Sequence, residues 1–358
     1  MGSGRRIEIS GCSLLLLRTI TNAMPMSHGF SDSRMLATFF LITYNQERYV
    51  REAIEGAFSQ TYSPLEIVIS DDCSTDGTFG IIKEMCEKYD GQHKVVINRN
   101  RENLGLIGHI NMITSLSYGE LIIYAAGDDI SLPERTETLV ERYLSSGGKA
   151  SLIHSSVYLI DNDGNRIGMR LPPVISGGLD IRGMAVSGAL IIGATSAFTR
   201  NIEEIFGSIT YSKCIEDLVL GFRSALIGGL EFMDKPLILY RSESGITARS
   251  GRSNQSFDEF FSRKLGAQEG YLAVLSQRLA DLKRIGNIDL QLQIKSKRTE
   301  ALLMRKVWIK NYRFLRLMFY SARRGLLSVF FKSWFREKKW RIFFSVKKLM
   351  HKLSTERI

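Results

Sequence analysis

Two adjacent carboxylates, Asp128 and Asp129, stand at the end of an apolar, strand-like segment that reads YAAGDDISLP over residues 124–133. Like charges repel at this spacing, and a strand end that carries both is often holding a cation. Mg²⁺ and Mn²⁺ prefer oxygen ligands and are typically bound by one or two carboxylates plus substrate phosphates. Asp128 is therefore predicted to contact a metal. The alternative is a capped helix start, with Asp129 or Ser131 as the cap before Pro133.

A second doubled carboxylate follows an earlier strand. The stretch DDCSTDGT at residues 71–78 places Asp72 after the strand, and Asp76-Gly77 makes a turn into a helix. A carboxylate at a strand end can accept a hydrogen bond from the N–H of a uracil ring or from a ribose hydroxyl. The alternative is a capped turn, because Asp and Ser side chains satisfy the free amide groups at a helix start.

Strand-like and helix-like segments alternate over about 110 residues. Apolar, β-rich runs predict strands at 37–43, 65–70, 94–98 and 120–126, and apolar residues at helical spacing predict helices at 45–60, 79–89, 106–117 and 133–145. Such alternation predicts an α/β fold with a mainly parallel sheet and helices on both faces. Ligands of such sheets bind beyond the carboxyl ends of the strands. We therefore expect the polar residues after strands one, two and four to share one crevice.

The chain of 358 residues is long enough for one large domain with appendages or for two domains. The alternation stops near residue 150, and a helical tail follows a Ser/Gly loop near residue 250. We divide the chain into a leader, two halves of one domain and the tail, at 1–35, 36–150, 151–250 and 251–358. The leader lacks a clear pattern, which predicts disorder or a mis-set start codon. Four scattered cysteines predict reduced thiols in a cytosolic protein.

The net charge of +11 lies in the tail. Residues 302–352 hold 15 Lys or Arg and one acid, Glu337, whereas the rest of the chain holds 33 basic and 36 acidic residues. All three tryptophans lie in this segment, and apolar residues at helical spacing interleave with the cations. The pattern predicts an interfacial helix on an anionic membrane. The alternatives are a helix packed on the body and a nucleic-acid-binding tail, which the many large apolar groups disfavour.

Three motifs occur in order within residues 38–145: TYNQERYVREAI…SQTYSPLEIVISDDCSTDGT, ENLG and AAGDDISLPER. Together they resemble the family 2 glycosyltransferases of GT-A fold, and the resemblance continues more weakly to about residue 245. It implies a nucleotide-diphosphate sugar as donor. Asp128 matches the second acid of the family's D-x-D motif, which contacts Mg²⁺ or Mn²⁺, whereas Ala126 stands in place of the first acid. The resemblance implies donor contacts by Thr43, Asn45, Glu47, Asp72, Asn103, Gly105 and Asp128.

The stretch IED at residues 215–217 matches the family's E-D motif. The resemblance implies that Asp217 is the general base and that Glu216 lies on the acceptor side. A positioned carboxylate can take the proton of an acceptor hydroxyl, while a metal offsets charge on the departing diphosphate. One base and a single displacement predict inversion at the anomeric carbon. The alternative is that both acids complement the dipole of a helix that they begin.

Weaker matches concern the end of the second half. Arg241 follows Tyr240 as in relatives of polysaccharide pathways, and its guanidinium is expected to reach the diphosphate. Glu243 stands where those relatives often have His. The loop 242–254 is expected to order over the bound donor. Thr195 in GATSAFTR is expected to line the acceptor side, although tight Gly-rich packing explains that stretch equally well.

These features predict an inverting, metal-assisted glycosyltransferase that is cytoplasmic and peripheral to the inner face of the membrane. Its expected acceptor is a lipid-linked saccharide or oligosaccharide in bacterial O-antigen, capsule or exopolysaccharide synthesis. No nucleic-acid partner is expected, because the body is close to neutral. A GT-A-like nucleotidyltransferase is one alternative, but TYNQERYV lacks the Gly-rich, basic triphosphate loop it would need. A non-catalytic protein that binds sugar nucleotides or membranes is the other.

Overall fold

The computed structural model describes residues 8–10, 34–173, 180–242, 257–308, 325–329, 331–336 and 338–340. The chain divides into two compact units. The first comprises Met1–Ser176, Ile191–Gly207 and Ile227–Ala248, and the second comprises Gly177–Leu190, Ser208–Leu226 and Arg249–Ile358. The units therefore differ from the predicted divisions at residues 150 and 250, because each unit is assembled from segments that are distant in sequence.

Twelve strands are described, and all of them lie in the first unit. In chain order they are β1 (Glu8–Ser10), β2 (Ala37–Thr43), β3 (Leu65–Asp71), β4 (Lys94–Arg99), β5 (Leu121–Ala126), β6 (Ile130–Ser131), β7 (Leu152–Ser155), β8 (Val157–Ile160), β9 (Arg166–Arg170), β10 (Ala197–Thr199), β11 (Leu230–Met233) and β12 (Ile238–Arg241). Ten α-helices are described across the two units. They are α1 (Val50–Phe58), α2 (Thr78–Lys88), α3 (Gly105–Ile110), α4 (Ile113–Leu116), α5 (Arg135–Ser145), α6 (Ile181–Val186), α7 (Asn201–Phe206), α8 (Glu216–Leu226), α9 (Phe257–Arg284) and α10 (Ile288–Trp308).

The larger sheet has eight strands in the order β1-β4-β3-β2-β5-β10-β7-β11. Its pairings are parallel except that β10 runs antiparallel to both β5 and β7. A smaller sheet has the order β6-β12-β8-β9. The prediction of a mainly parallel α/β sheet is confirmed.

Helices cover both faces of the larger sheet. Alternate residues of β2, such as Phe39 and Leu41, are buried in one core with Ile54 of α1 and Ile82 of α2. The side chain of Ser70 in β3 points to the opposite face, where its hydroxyl lies 2.7 Å from the Nε2 atom of His109 in α3. Burial on both faces explains why β2 and β3 are apolar runs rather than alternating sequences.

Two local features differ from the sequence-based expectations. The helix predicted at 106–117 is divided into α3 and α4, because the Met112 amide bonds the His109 carbonyl three residues back and tightens the turn. The leader contains a strand, β1, which pairs in parallel with β4. Pairing of β1 gives the outer edge of β4 backbone partners that it would otherwise take from water.

The second unit is helical in its described part. The long helices α9 and α10 pack against each other and are joined at Gly286, whose φ of +74° suits glycine. Arg223 of α8 and Asp281 of α9 form a buried bidentate ion pair, with N–O distances of 2.9 Å in both bonds. The predicted helical tail is present in α9, α10 and the helical residues 327–329, 331–336 and 338–340. No described helix is long and apolar enough to cross a membrane.

Candidate functional site

Loops that follow β2, β3 and β5 meet at the carboxyl edge of the larger sheet. The Asp72 amide donates to the Thr43 carbonyl at 2.9 Å, and the Gly127 amide donates to the Ile42 carbonyl at 2.9 Å. The polar residues after predicted strands one, two and four are thereby brought to one edge. Gly127 is closely surrounded, since a Cβ atom there would lie 2.5 Å from Gln46 Oε1. Any larger residue between Ala126 and Asp128 would push the β2 and β5 loops apart.

Side chains of the β2 loop shape the β3 loop. The Thr75 amide donates to Asn45 Oδ1 at 2.9 Å, and the Gly77 amide donates to Glu47 Oε2 at 2.7 Å. The Asn45 amide donates in turn to Ser74 Oγ at 2.9 Å, with Asn45 at a φ of +50°. Both predicted donor-contact residues, Asn45 and Glu47, are exposed, but these oxygens are committed to the protein backbone. They hold the shape of the crevice wall.

Two predicted contact residues present no hydroxyl at the surface. Thr43 is 2% exposed, and its hydroxyl donates to the Ser70 carbonyl and to Asp71 Oδ1 at 3.3 Å each. Thr195 is 1% exposed, and its hydroxyl donates to the Ile192 carbonyl and accepts from the Ser155 amide. The expected ligand contacts by these two hydroxyls are corrected on this ground: both stabilise strand ends from within.

Asp72 joins the β3 loop to the loop before α3. Its Oδ1 atom accepts hydrogen bonds from Asn100 Nδ2 at 2.7 Å and from the Leu104 amide at 3.0 Å. Among the described residues, the bonds to this carboxylate use only Oδ1. The Gly105 amide donates to Asn103 Oδ1 at 2.8 Å, and Gly105 has a φ of +68°. The structure therefore brings Asp72 together with Asn103 and Gly105, which the resemblance places beside the nucleoside.

A buried chain of polar groups supports Asp72 from behind. Asn98 Nδ2 donates to Asn100 Oδ1 at 3.0 Å and to Ser70 Oγ at 2.8 Å, and Ser70 Oγ contacts His109 Nε2. Burial lowers the pKa of His109, although the charge of Asp72 partly opposes that effect. The sequence analysis missed these residues. The sequence feature that could have identified them is the placement of Asn98 and Asn100 two positions apart at the end of an apolar strand.

Asp128 and Asp129 follow β5, and both are buried, at 9% and 7% exposure. The Arg241 amide donates to Asp129 Oδ1 at 2.9 Å. Burial, and next to it the charge of Asp128, raises the pKa of Asp129 well above its ordinary range. Two carboxyls this close resist double ionisation unless a cation lies beside them.

The position of Arg241 corrects the expectation that it reaches a diphosphate. Its guanidinium is fully buried and makes an ion pair of 2.9 Å with Glu52. It also donates to the carbonyls of Asp128 at 3.0 Å, Asp161 at 3.0 Å and Asn162 at 2.9 Å. Arg241 therefore positions the backbone of the Asp128 loop. The loop 242–254, which is expected to order over the bound donor, lies outside the described residues except for Ser242.

Glu216 and Asp217 begin α8 in the second unit. Each residue is half-buried, but Asp217 Oδ1 is shielded from solvent and has no hydrogen-bond partner among the described residues. Burial raises the pKa of Asp217 to about 6, and burial together with the Asp217 charge raises that of Glu216 to about 8. Because adjacent carboxyls resist double ionisation, the pair is suited to hold a proton near neutral pH.

The donor set limits which metal the first unit could hold. No group of three or more His, Cys, Asp or Glu side chains with metal-binding geometry is found within the described ranges. Asp128 has a carboxylate at a strand end, and Asp129 places a second buried carboxyl beside it. That set fits Mg²⁺ or Mn²⁺, which take their remaining ligands from substrate phosphates and water, and it does not fit a closed all-protein site.

Residues 38–205, which include the β2, β3 and β5 loops, match the model of glycosyl transferase family 2. This region is a family 2 glycosyltransferase domain. EpsE of Bacillus subtilis (strain 168), which is named as a glycosyltransferase, is 31% identical over 180 residues, or 50% of this chain and 63% of EpsE. An uncharacterized protein of Mycobacterium tuberculosis (strain H37Rv) is 27% identical over 201 residues, or 56% of this chain and 57% of that protein. The matches thus span about six-tenths of these relatives' own lengths.

Solved glycosyltransferase structures share the fold of this domain. S. aureus TarS 1–349 in complex with UDP-GlcNAc has a TM-score of 0.52 at 15% identity, covering 86% of this chain and 92% of that chain. The mannosyltransferase PcManGT from Pyrobaculum calidifontis, in complex with GDP-Man and Mn²⁺, has a TM-score of 0.50 at 14% identity, covering 89% and 88%. The predicted GT-A class of the glycosyltransferase domain is confirmed.

Proposed function

We propose that this protein transfers a sugar from a nucleotide-diphosphate sugar to an acceptor hydroxyl. The observation that carries the proposal is the gathering of Asp72, the Asn103–Gly105 loop and Asp128 at one sheet edge within a family 2 domain. Sheets of this class bind ligands at that edge. The complexes of TarS with UDP-GlcNAc and of PcManGT with GDP-Man support a sugar nucleotide as the class of donor.

The residues at this edge divide the work of donor binding. Asp72 offers its second oxygen to an N–H of the base or to a ribose hydroxyl, while Asn103 and Gly105 border the nucleoside. Asn45, Glu47 and the buried Thr43 keep the opposite wall in shape. Asp128 would hold Mg²⁺ or Mn²⁺ on the donor's diphosphate, where the bound ion offsets the charge that develops on the leaving group.

We propose that Asp217 is the base that removes the proton of the acceptor hydroxyl. Its carboxylate takes the proton from the acceptor hydroxyl as the acceptor oxygen forms a bond to the anomeric carbon. The bond from that carbon to the diphosphate oxygen breaks, and the nucleoside diphosphate leaves with the electron pair. A single displacement of this kind inverts the configuration of the anomeric carbon. Glu216, which adjoins the base, is proposed to contact the acceptor.

Asp217→Asn separates catalysis from donor binding. We expect turnover to fall by about 10²- to 10⁴-fold, because the amide cannot accept the proton, while calorimetry shows unchanged affinity for the donor. In the wild type, turnover should decline as pH falls through about 6, where Asp217 becomes protonated. Asp289→Asn is the matched control, since Asp289 is also an acid in the first turn of a helix. Turnover by Asp217→Asn equal to that of the control would show that Asp217 serves only the helix dipole.

Removal of divalent ions tests Asp128. Enzyme treated with a chelator should lose turnover and recover it when Mn²⁺ or Mg²⁺ is added. Asp128→Asn should need a higher ion concentration for half-maximal rate, by about tenfold or more, because one charged ligand is lost. Asp163→Asn, at an exposed acid, is the control. Full activity of metal-free wild type would remove the proposed role of Asp128.

We propose that the acceptor is lipid-linked and that the tail rests on the inner face of an anionic membrane. Within the described tail, Leu327, Phe331 and Phe335 recur every four residues and are 39%, 37% and 61% exposed. This spacing aligns them on one helix face. Exposed cations accompany them at Lys332, Arg336, Lys338 and Lys339. An exposed aromatic stripe beside cations suits the headgroup region of anionic lipid.

Vesicle flotation tests this surface. Phe331→Ser/Phe335→Ser should lose about tenfold or more of its binding to vesicles that contain phosphatidylglycerol. The variant lacks two aromatic side chains that would be buried in the lipid. Ile288→Ser/Leu292→Ser is the matched control, because both residues are exposed apolar groups of α10, at 69% and 61%. Binding should also weaken with salt and with neutral vesicles. Equal flotation of both double variants would contradict the proposal.

A further inference from the structure

Arg278 of α9 is a buried cation whose hydrogen bonds all go to carbonyl oxygens among the described residues. Its Nη2 and Nε atoms donate to the Leu218 carbonyl at 2.7 and 3.2 Å. Its Nη1 atom donates to the carbonyls of Ala185 at 3.1 Å and Ser187 at 2.9 Å. The guanidinium is 0% exposed and lies 5.0 Å from the centre of the Phe222 ring. It therefore joins α9, the first turn of α8 and the end of α6.

A second buried arginine among the described residues of this unit, Arg223, differs from Arg278 in its hydrogen-bond partners. Arg223 is neutralised by a bidentate bond to Asp281, as a buried guanidinium normally requires. Arg278 has no carboxylate bonded to it within the described residues. Leu218, however, directly follows Asp217, so the carbonyl that Arg278 holds belongs to the same turn as the carboxyl group. Asp217 is one of the groups whose charge acts on Arg278, together with Tyr271, Cys214 and Asp281.

We propose that Arg278 is a positioning residue for Asp217: it fixes the first turn of α8 and supplies the positive charge that faces the carboxylate. This inference rests on the proposed role of Asp217 as general base. Arg278 itself touches neither substrate nor reacting atoms. It would act by keeping the carboxylate ionised and in place at the pH where the acceptor must lose its proton.

The groups around the Asp217 carboxyl determine in which direction its pKa moves when the charge of Arg278 is removed. Burial raises the pKa of Asp217 to about 6, and the hydrogen bond from the Leu218 amide and then the charge of Arg278 oppose that rise. Glu216 lies beside it on α8, and Arg278 is faced in turn by Tyr271 and Asp281 of α9 and by Cys214. Loss of the Arg278 charge should raise the pKa of Asp217 further. More of the base would then be protonated at neutral pH, and the acid limb of the rate profile would move upward.

Three variants and a pH series of kcat test the proposal. Arg278→Gln should move the acid midpoint upward by more than about half a pH unit and lower kcat at pH 6.5 by about threefold or more, with donor affinity unchanged. Arg278→Lys keeps the charge but lacks the planar, fixed fork of donors that reaches the three carbonyls, so its midpoint should stay near wild type while kcat falls at every pH. Arg223→Gln, which removes the other buried arginine, should lower the melting temperature without moving the midpoint.

Two results would overturn the role of Arg278. The first is that wild type and Arg278→Gln have the same midpoint on the acid limb of the kcat profile, with kcat lowered equally at every pH. Arg278 would then have a purely structural role. If Arg278→Gln does not fold, the Lys variant decides instead: a midpoint that moves as far upward as half a unit would contradict a role through charge. The proposed function fails separately. If Asp217→Asn keeps wild-type turnover, Asp217 is not the base, whatever the arginine variants do.

Discussion

Two backbone hydrogen bonds, from Asp72 to Thr43 and from Gly127 to Ile42, hold the ends of three parallel strands together. They exist because β2 lies between β3 and β5 in the sheet, so the loops that follow all three emerge side by side. Every candidate donor contact in the first unit depends on this arrangement. The side chains of Asn45 and Glu47 then tie the β2 loop to the β3 loop, and we propose that the second oxygen of Asp72 and the carboxylate of Asp128 bind the donor.

Buried arginines also hold separate segments of the chain together. Arg135, Arg241 and Arg278 are each at most 1% exposed, and each donates to two or more main-chain carbonyls. A guanidinium suits this role because its donors lie in one plane and in fixed directions. The cost of burying the charge is offset by several hydrogen bonds and, for Arg241, by the ion pair with Glu52. Arg241 bonds the Asp128 carbonyl and Arg278 bonds the Leu218 carbonyl, so each holds a segment that carries a proposed functional carboxylate.

Much of the fold could be predicted from the sequence, because strands that are buried on both faces are long apolar runs. The polar residues that follow these strands indicate the carboxyl edge of the sheet. The motifs assigned Asp72, Asn103 and Gly105 to the donor, and the structure brings these residues together, while their contact with a donor stays a prediction. Arg241 and Thr195 could not be assigned, because their partners, such as Glu52 and Ser155, come from segments that only the folded chain brings close. The support of Asp72 by Asn98 and Asn100 was hidden for the same reason: a buried polar pair is identified by its contacts.

Calorimetric titration of a nucleoside diphosphate into Asp72→Asn tests the central claim that this edge binds the donor. Asparagine keeps Oδ1 as acceptor for Asn100 and Leu104 and replaces only the second oxygen, so the melting temperature should stay close to that of wild type. We expect affinity for UDP or GDP, whichever the wild type binds, to fall by about tenfold or more, or about 1.4 kcal/mol, while Asp90→Asn at an exposed acid binds normally. Unchanged affinity in a folded Asp72→Asn protein would contradict the account.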